Sequence, residues 1–206
     1  TLAVDQLWER KSAMDRKLAD LYDQFAHGGT SRREFMDRLA KAAGGTAAAL
    51  GLLPLLENSF AAAQTITETD ARLICSTVEY EAASGKMSGY LAQPRDGKKH
   101  PAVIVIHENR GLTPHIQDVA RRFAVEGFLA LAPDALSPLG GTPADQTKTT
   151  ELFGKLDAAE TVARLCAALP FLSKHAGSTG KTGVVGFCWG GGMVNRVAAA
   201  AGASLG

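Results

Sequence analysis

Three cysteines stand in the chain, Cys75, Cys166 and Cys188, and the last sits in a pattern that could do chemistry. Gly186-Phe187-Cys188-Trp189-Gly190 has the form G-x-C-x-G, the thiol counterpart of the G-x-S-x-G turn that lifts a nucleophile out of the backbone. Such a turn holds its central residue at unfavourable backbone angles. Gly186 and Gly190, two places either side, leave room for the flanking strand and helix to approach. A helix starting after the turn would aim its positive end at Cys188 and favour the thiolate. The backbone N–H of Trp189 would then face an oxyanion developing on a substrate carbonyl. With 22 glycines in 206 residues, chance puts glycine at both offsets of a given cysteine about 1% of the time. The pattern therefore draws most of its weight from its place, after an apolar run and before an Ala-rich segment. The competing reading is a buried structural cysteine beside a glycine-rich packing turn.

A second constellation, His107-Glu108-Asn109-Arg110-Gly111, follows the apolar run 102–106. An acid there, near a thiol, can act as a base or hold a cation; the bland alternative for Glu108 is a solvated loop carboxylate. His107 reads as structural, because the catalytic histidine of such sites follows the nucleophile in the chain. Other signals fall away. Gly180-Lys181-Thr182 looks like the end of a phosphate-binding loop, but that motif needs glycine where His175 stands, and it opens a helix rather than preceding a strand. No CxxC pattern occurs, so a zinc or dithiol site is not expected, and no cofactor motif is present. Net charge is +1 and 21% of residues are charged, which with no basic, aromatic-laced stripe argues against a nucleic-acid partner. Whether Cys75 and Cys166 pair is left open.

The elements around these residues alternate. Residues 73–80 and 86–92 read as two strands around an Ala83-Ser84-Gly85 turn. Residues 102–106 form an unbroken apolar run, as in a strand buried on both faces of a parallel sheet. A helix is predicted over 114–126, with Val119, Ala120, Phe123 and Ala124 as its apolar stripe and Gly127 as its stop. Further strands are predicted over 128–134 and 182–187, a long helix over 145–172 with a break near Gly154, and a helix over 193–201. Strand and helix in alternation predict a three-layer α/β domain with a mostly parallel sheet.

The N-terminal third has another character. Residues 1–30 form an extension with a weak amphipathic pattern. Residues 31–63 have the layout of an export signal: Ser31-Arg32-Arg33-Glu34-Phe35-Met36, an uncharged run over 42–56, and small residues at Ala61-x-Ala63. Arg32 and Arg33 resemble a twin-arginine pair, which implies export machinery as a partner and a periplasmic destination, with membrane retention as the outcome of an uncleaved signal. The run is too short and too interrupted for a spanning helix. It lacks the polar face of an amphipathic one. The folded domain is placed at 65–206.

From residue 73 to about 201 the chain resembles the dienelactone hydrolase (carboxymethylenebutenolidase) family of the α/β-hydrolase superfamily. The resemblance rests on Pro101-Ala102-Val103-Ile104-Val105-Ile106-His107-Glu108-Asn109-Arg110-Gly111-Leu112, on Ala132-Pro133-Asp134, and on Val184-Val185-Gly186-Phe187-Cys188-Trp189-Gly190-Gly191. It implies that Cys188 attacks an ester or lactone carbonyl and that Glu108 helps to activate the thiol. It implies an oxyanion hole from the N–H groups of Asn109 and Trp189, and an acyl-thioester that water hydrolyses without a metal. The family's Asp and His follow the cysteine, and none is found before Gly206, so the fold is expected to be cut after the nucleophile helix and the fragment to be inactive. Where the family uses arginines for a substrate carboxylate, Ala144-Asp145-Gln146-Thr147-Lys148 offers only Lys148. Two other classes remain open: a non-catalytic exported α/β binding or structural domain, and a thiol redox protein.

Overall fold

The computed structural model describes residues 17, 18, 21, 22, 24, 25, 30–49 and 65–206. The chain divides into two units, Thr1–Ala63 and Gln64–Gly206.

In the first unit, helix α1 (Arg32–Ala43) starts at Ser31, whose hydroxyl accepts the Glu34 N–H at 3.2 Å. This is one half of an S-x-x-E capping box. Gly44, at φ +82°, ends the helix in the left-handed conformation. Phe35 and Leu39, four residues apart, are buried with Leu18 and Ala49, and the Phe35 ring stacks on Phe25 at 4.5 Å. Arg33, Asp37 and Lys41 lie exposed on the other side, and Arg32 and Arg38 are exposed at its flanks. The exclusion of an amphipathic helix is thus corrected for this stretch. Its charges are interleaved with Phe35 and Leu39 at helical spacing, so the stretch has two faces. From residue 50 on, the apolar run and the expected cleavage position lie outside the described residues. No helix among the described residues is long and apolar enough to cross a membrane.

The second unit is built on five strands: β1 (Leu73–Ala82), β2 (Gly85–Pro94), β3 (His100–Ile106), β4 (Leu129–Pro133) and β5 (Ser178–Gly186), in the order β1-β2-β4-β3-β5. The sheet is mixed. β3 pairs parallel with β4 and β5, as the apolar runs suggest, whereas β1–β2 and β2–β4 are antiparallel. Successive residues of β3 face opposite layers. Val103 and Val105 pack with Ile116, Val119, Ala120 and Ala124 of helix α2 (Pro114–Val125). Ile104 and Ile106 pack with Leu165, Leu169, Leu172, Met193 and Val197 on the other side. Those residues belong to helices α4 (Ala158–Cys166), α5 (Ala168–Lys174) and α6 (Trp189–Ala201), and α3 (Gln146–Phe153) precedes them.

The long helix expected over 145–172 is broken at Gly154 as expected, and again at Ala167, so that it is three helices. Asp157 caps α4 by accepting the Glu160 N–H at 2.8 Å. Pro170 has no N–H to offer the Cys166 carbonyl, so α4 cannot run on into α5. Cys75 and Cys166 are free thiols that pack against opposite faces of the sheet, which rules out a bond between them in this fold. Asp118 and Arg121 of α2 are buried and grip one residue of the entering segment. Asp118 accepts the Ile66 N–H at 2.7 Å and Arg121 donates to the Ile66 carbonyl at 2.6 Å.

Candidate active site

β3 and β5 run side by side in parallel, with Ile106 opposite Gly186. Cys188 and Glu108 therefore stand at the same step, two residues beyond a paired position, on neighbouring strand ends. Cys188 has φ 51° and ψ −112°, and it is the one non-glycine residue with positive φ among the described residues. A conformation of this kind costs about 1–3 kcal/mol and persists only where its surroundings impose it. Here the constraint is steric. A Cβ on Gly186 would run into the Gly190 carbonyl, and a Cβ on Gly190 would run into the carbonyls of Ile106 and His107. The end of β5, the start of α6 and the end of β3 are in backbone contact, and only glycine fits. α6 begins at Trp189, directly after the cysteine, rather than at 193 as expected, because Gly190, Gly191 and Gly192 belong to its first turn rather than to a loop. The turn is closed by Gly190 N–H donating to Phe187 O at 2.8 Å, and Phe187 N–H donates to Ile106 O at 3.2 Å. Cys188 itself is exposed.

The loop after β3 is held differently. His107 is fully buried. Its Nδ1 lies 2.7 Å from the Glu108 carbonyl, and its Nε2 lies 3.0 Å from the Ala135 N–H. A carbonyl can only accept and an amide N–H only donates, so the ring carries its proton on Nδ1 and is neutral. Burial lowers its pKa, against a smaller opposing effect of the Glu108 carbonyl and of Asp134. Both ring nitrogens are occupied, which fits the structural reading of His107. Beyond it, Gly111 has φ +78°, and a Cβ there would collide with the Thr142 side chain. Thr142 accepts the Leu112 N–H at 2.8 Å and donates to Asp134 at 2.9 Å. Asp134, nearly buried at the end of β4, also accepts the N–H groups of Leu136 and Thr142. This carboxylate braces the loops after β3 and β4 against each other.

Glu108 is half-buried and Asn109 exposed. Among the described residues, neither the Asn109 nor the Trp189 amide N–H has a hydrogen-bond acceptor. Two N–H donors without an acceptor thus follow the two neighbouring strand ends, one of them on the residue next to Cys188. The Trp189 ring stacks on His107 with centroids 5.7 Å apart, and Phe153 from α3 meets both rings edge-on. Phe153 was not foreseen, since nothing in its neighbourhood marks it. Asp134 was visible only as a strand end; its partner Thr142 sits in a loop with no signal of its own. His115, in the first turn of α2, is half-buried with an unpartnered Nδ1, and burial lowers its pKa while Glu108 opposes the shift. His100 pairs with Asp96 and the Gly127 carbonyl, away from this site. Lys148, the expected stand-in for a substrate-binding arginine, is exposed on α3. Arg32 and Arg33 belong to the first unit. Among the described residues, no three His, Cys, Asp or Glu side chains gather in a group that could hold a metal ion.

The fold is an α/β sheet that carries a strained residue on a strand–turn–helix elbow beside two amide donors. A model of the dienelactone hydrolase family matches residues 87–205, more than half of the chain, and the chain belongs to that family. A second model, described as YqhI-like, matches residues 9–44. The chain is 44% identical over 112 residues to a candidate hydrolase fragment, YghX, of Escherichia coli, covering 53% of this chain and 96% of that one. It is 37% identical over 136 residues to a candidate carboxymethylenebutenolidase of Methylorubrum extorquens, covering 63% of this chain and 46% of that one. Among solved structures, a candidate dienelactone hydrolase from Klebsiella pneumoniae superposes with a TM-score of 0.56 at 30% identity, over 62% of this chain and 55% of that one. The chain thus spans about half the length of that carboxymethylenebutenolidase and of that structure.

Proposed function

We propose that this protein hydrolyses ester or lactone bonds with Cys188 as nucleophile. The observation that carries the reading is the backbone of Cys188, φ 51° and ψ −112°, enforced by two glycines that admit no side chain. In the proposed step the thiolate sulfur adds to the carbonyl carbon. The C=O pair moves onto oxygen, where the Asn109 and Trp189 N–H groups receive it. Collapse expels the alkoxide, which takes a proton from water, and leaves an acyl-thioester; attack by water then releases the acid and restores the thiol. Glu108 stands at the same strand-end step as the thiol and is proposed to assist its deprotonation. Both nitrogens of His107 are engaged, so His107 is not the proposed base.

The test uses the three cysteines as internal controls. After brief exposure to p-nitrophenyl acetate, peptide mapping should place acetyl on Cys188 with a preference over Cys75 and Cys166 larger than iodoacetamide shows. Alkylation needs only an accessible thiolate, whereas acylation also uses the oxyanion donors. Equal preference with both reagents would refute the hydrolase reading.

We also propose that the first unit directs export. The support is the Ser31-Arg32-Arg33-Glu34-Phe35 sequence with both arginines exposed. Changing Arg32 and Arg33 together to Lys should leave the protein in the cytoplasm; unchanged export of that variant would remove this proposal.

A further inference from the structure

His107 is a buried ring that bonds the carbonyl of the Glu108–Asn109 peptide and stacks on the Trp189 side chain, and the hydrolase chemistry does not use it. Its Nδ1–H donates to the Glu108 carbonyl at 2.7 Å. That carbonyl and the Asn109 N–H belong to the same peptide unit. A trans peptide is planar and sets its C=O and N–H in opposite directions. The Glu108–Asn109 peptide is trans, so fixing the carbonyl fixes the direction of the amide. The Gly111 N–H reaches the same carbonyl from 3.3 Å, a weaker hold than the imidazole's. On its other side the ring lies against Trp189 at 14° between planes, next to the second donor. The Ala135 N–H, donating to Nε2 at 3.0 Å, keeps the proton on Nδ1, the only tautomer that can hold the Glu108 carbonyl.

We propose that His107 is a positioning residue for the oxyanion hole: through the Glu108 carbonyl it aims the Asn109 amide, and through its ring face it seats Trp189. This rests on the hydrolase reading above. It assigns the histidine no proton transfer and no contact with substrate. The two ring nitrogens have separable duties. The Nδ1–H orients the amide, while Nε2 ties the β3 end to the start of the loop after β4 and selects the tautomer.

Two substitutions divide those duties. In His107→Asn the side-chain amide N–H falls near the position of Nδ1 and can still donate to the Glu108 carbonyl. In His107→Gln the amide oxygen falls near Nε2 and can still accept from Ala135. The measurement is the rate of Cys188 acylation by p-nitrophenyl acetate divided by its rate of alkylation by iodoacetamide. Losing a well-placed oxyanion donor costs on the order of 10²–10³ in rate. Misdirecting one without removing it should lower the ratio roughly 10–100-fold in His107→Gln, with most of it recovered in His107→Asn. A ratio in His107→Gln equal to wild type overturns the proposal, and so does recovery by Gln but not by Asn. If wild-type Cys188 shows no excess of acylation over alkylation relative to the other cysteines, the hydrolase reading itself has failed, which is a separate outcome. A reading independent of variant folding comes from the ring nitrogens of the wild-type protein. Their ¹⁵N spectrum at neutral pH should show Nδ1 protonated and Nε2 bare, and the opposite tautomer overturns the proposal.

Discussion

The two strand ends that build this site are held by opposite means. At the end of β5, Cys188 is fixed by exclusion: backbone packs on backbone, and Gly186 and Gly190 leave no room for a side chain. At the end of β3, the loop from Glu108 to Leu112 is fixed by bonding: a neutral histidine holds the Glu108 carbonyl, and a threonine tied to a buried carboxylate holds the Leu112 N–H. Steric positioning can hold a strained nucleophile, but it tolerates no added atom. Polar positioning can aim an amide N–H, but it depends on protonation. The first half should therefore fail by volume and the second by lost hydrogen bonds and by pH.

The largest effect expected is from Gly190→Ala. Its Cβ meets main-chain oxygens that cannot swing aside, so the domain should lose about 3 kcal/mol or more. A midpoint in urea close to wild type would break the steric half of the comparison. Asp134→Ala comes next. It strips an acceptor from the buried Leu136 N–H, at about 1–3 kcal/mol, and from the half-buried Thr142 N–H and hydroxyl, which water can reach at smaller cost. The loss should appear in denaturant melts together with faster hydrogen exchange at Leu112, the residue Thr142 holds.

The effect of pH is smaller and belongs to the same half. Burial holds the folded-state pKa of His107 below its ordinary 6.5. The stability this group contributes is then complete above 6.5 and is lost as pH falls through the folded value, because the unfolded chain takes up the proton first. Between those two values the slope should approach about 1.4 kcal/mol per pH unit, and His107→Asn should flatten it. His115, depressed in the same direction and half-exposed, adds a weaker component of the same sign. The smallest effect has the reverse sign. Cys188→Gly removes the side chain from a positive-φ residue and should raise stability by about 1 kcal/mol while abolishing acylation. A destabilised Cys188→Gly protein would show that the elbow is not under strain.

Much of this was legible in the sequence. The unbroken run 102–106 announced a strand buried on both faces, and the G-x-C-x-G spacing announced the elbow, because both signals are local. The antiparallel join of β2 to β4 was not legible, since pairing between elements about forty residues apart leaves no periodicity to read. Nor was the brace from Asp134 through Thr142 to Leu112, which is made by one hydroxyl across two loops. Two further signals are local and lie in the sequence: Pro170 marks the end of a helix that apolar spacing carries through, and Ser31 with Glu34 marks the start of an amphipathic helix that contains the arginine pair.

The claim underneath all of this is that the fold turns Cys188 into an acyl-accepting nucleophile. It is tested most directly by comparing the acylation-to-alkylation ratio of Cys188 in the native protein with that in the urea-unfolded chain at the same pH. The account predicts a native ratio higher by about two orders of magnitude, the worth of a working oxyanion hole. The same ratio in both states would contradict it and leave Cys188 an ordinary exposed thiol.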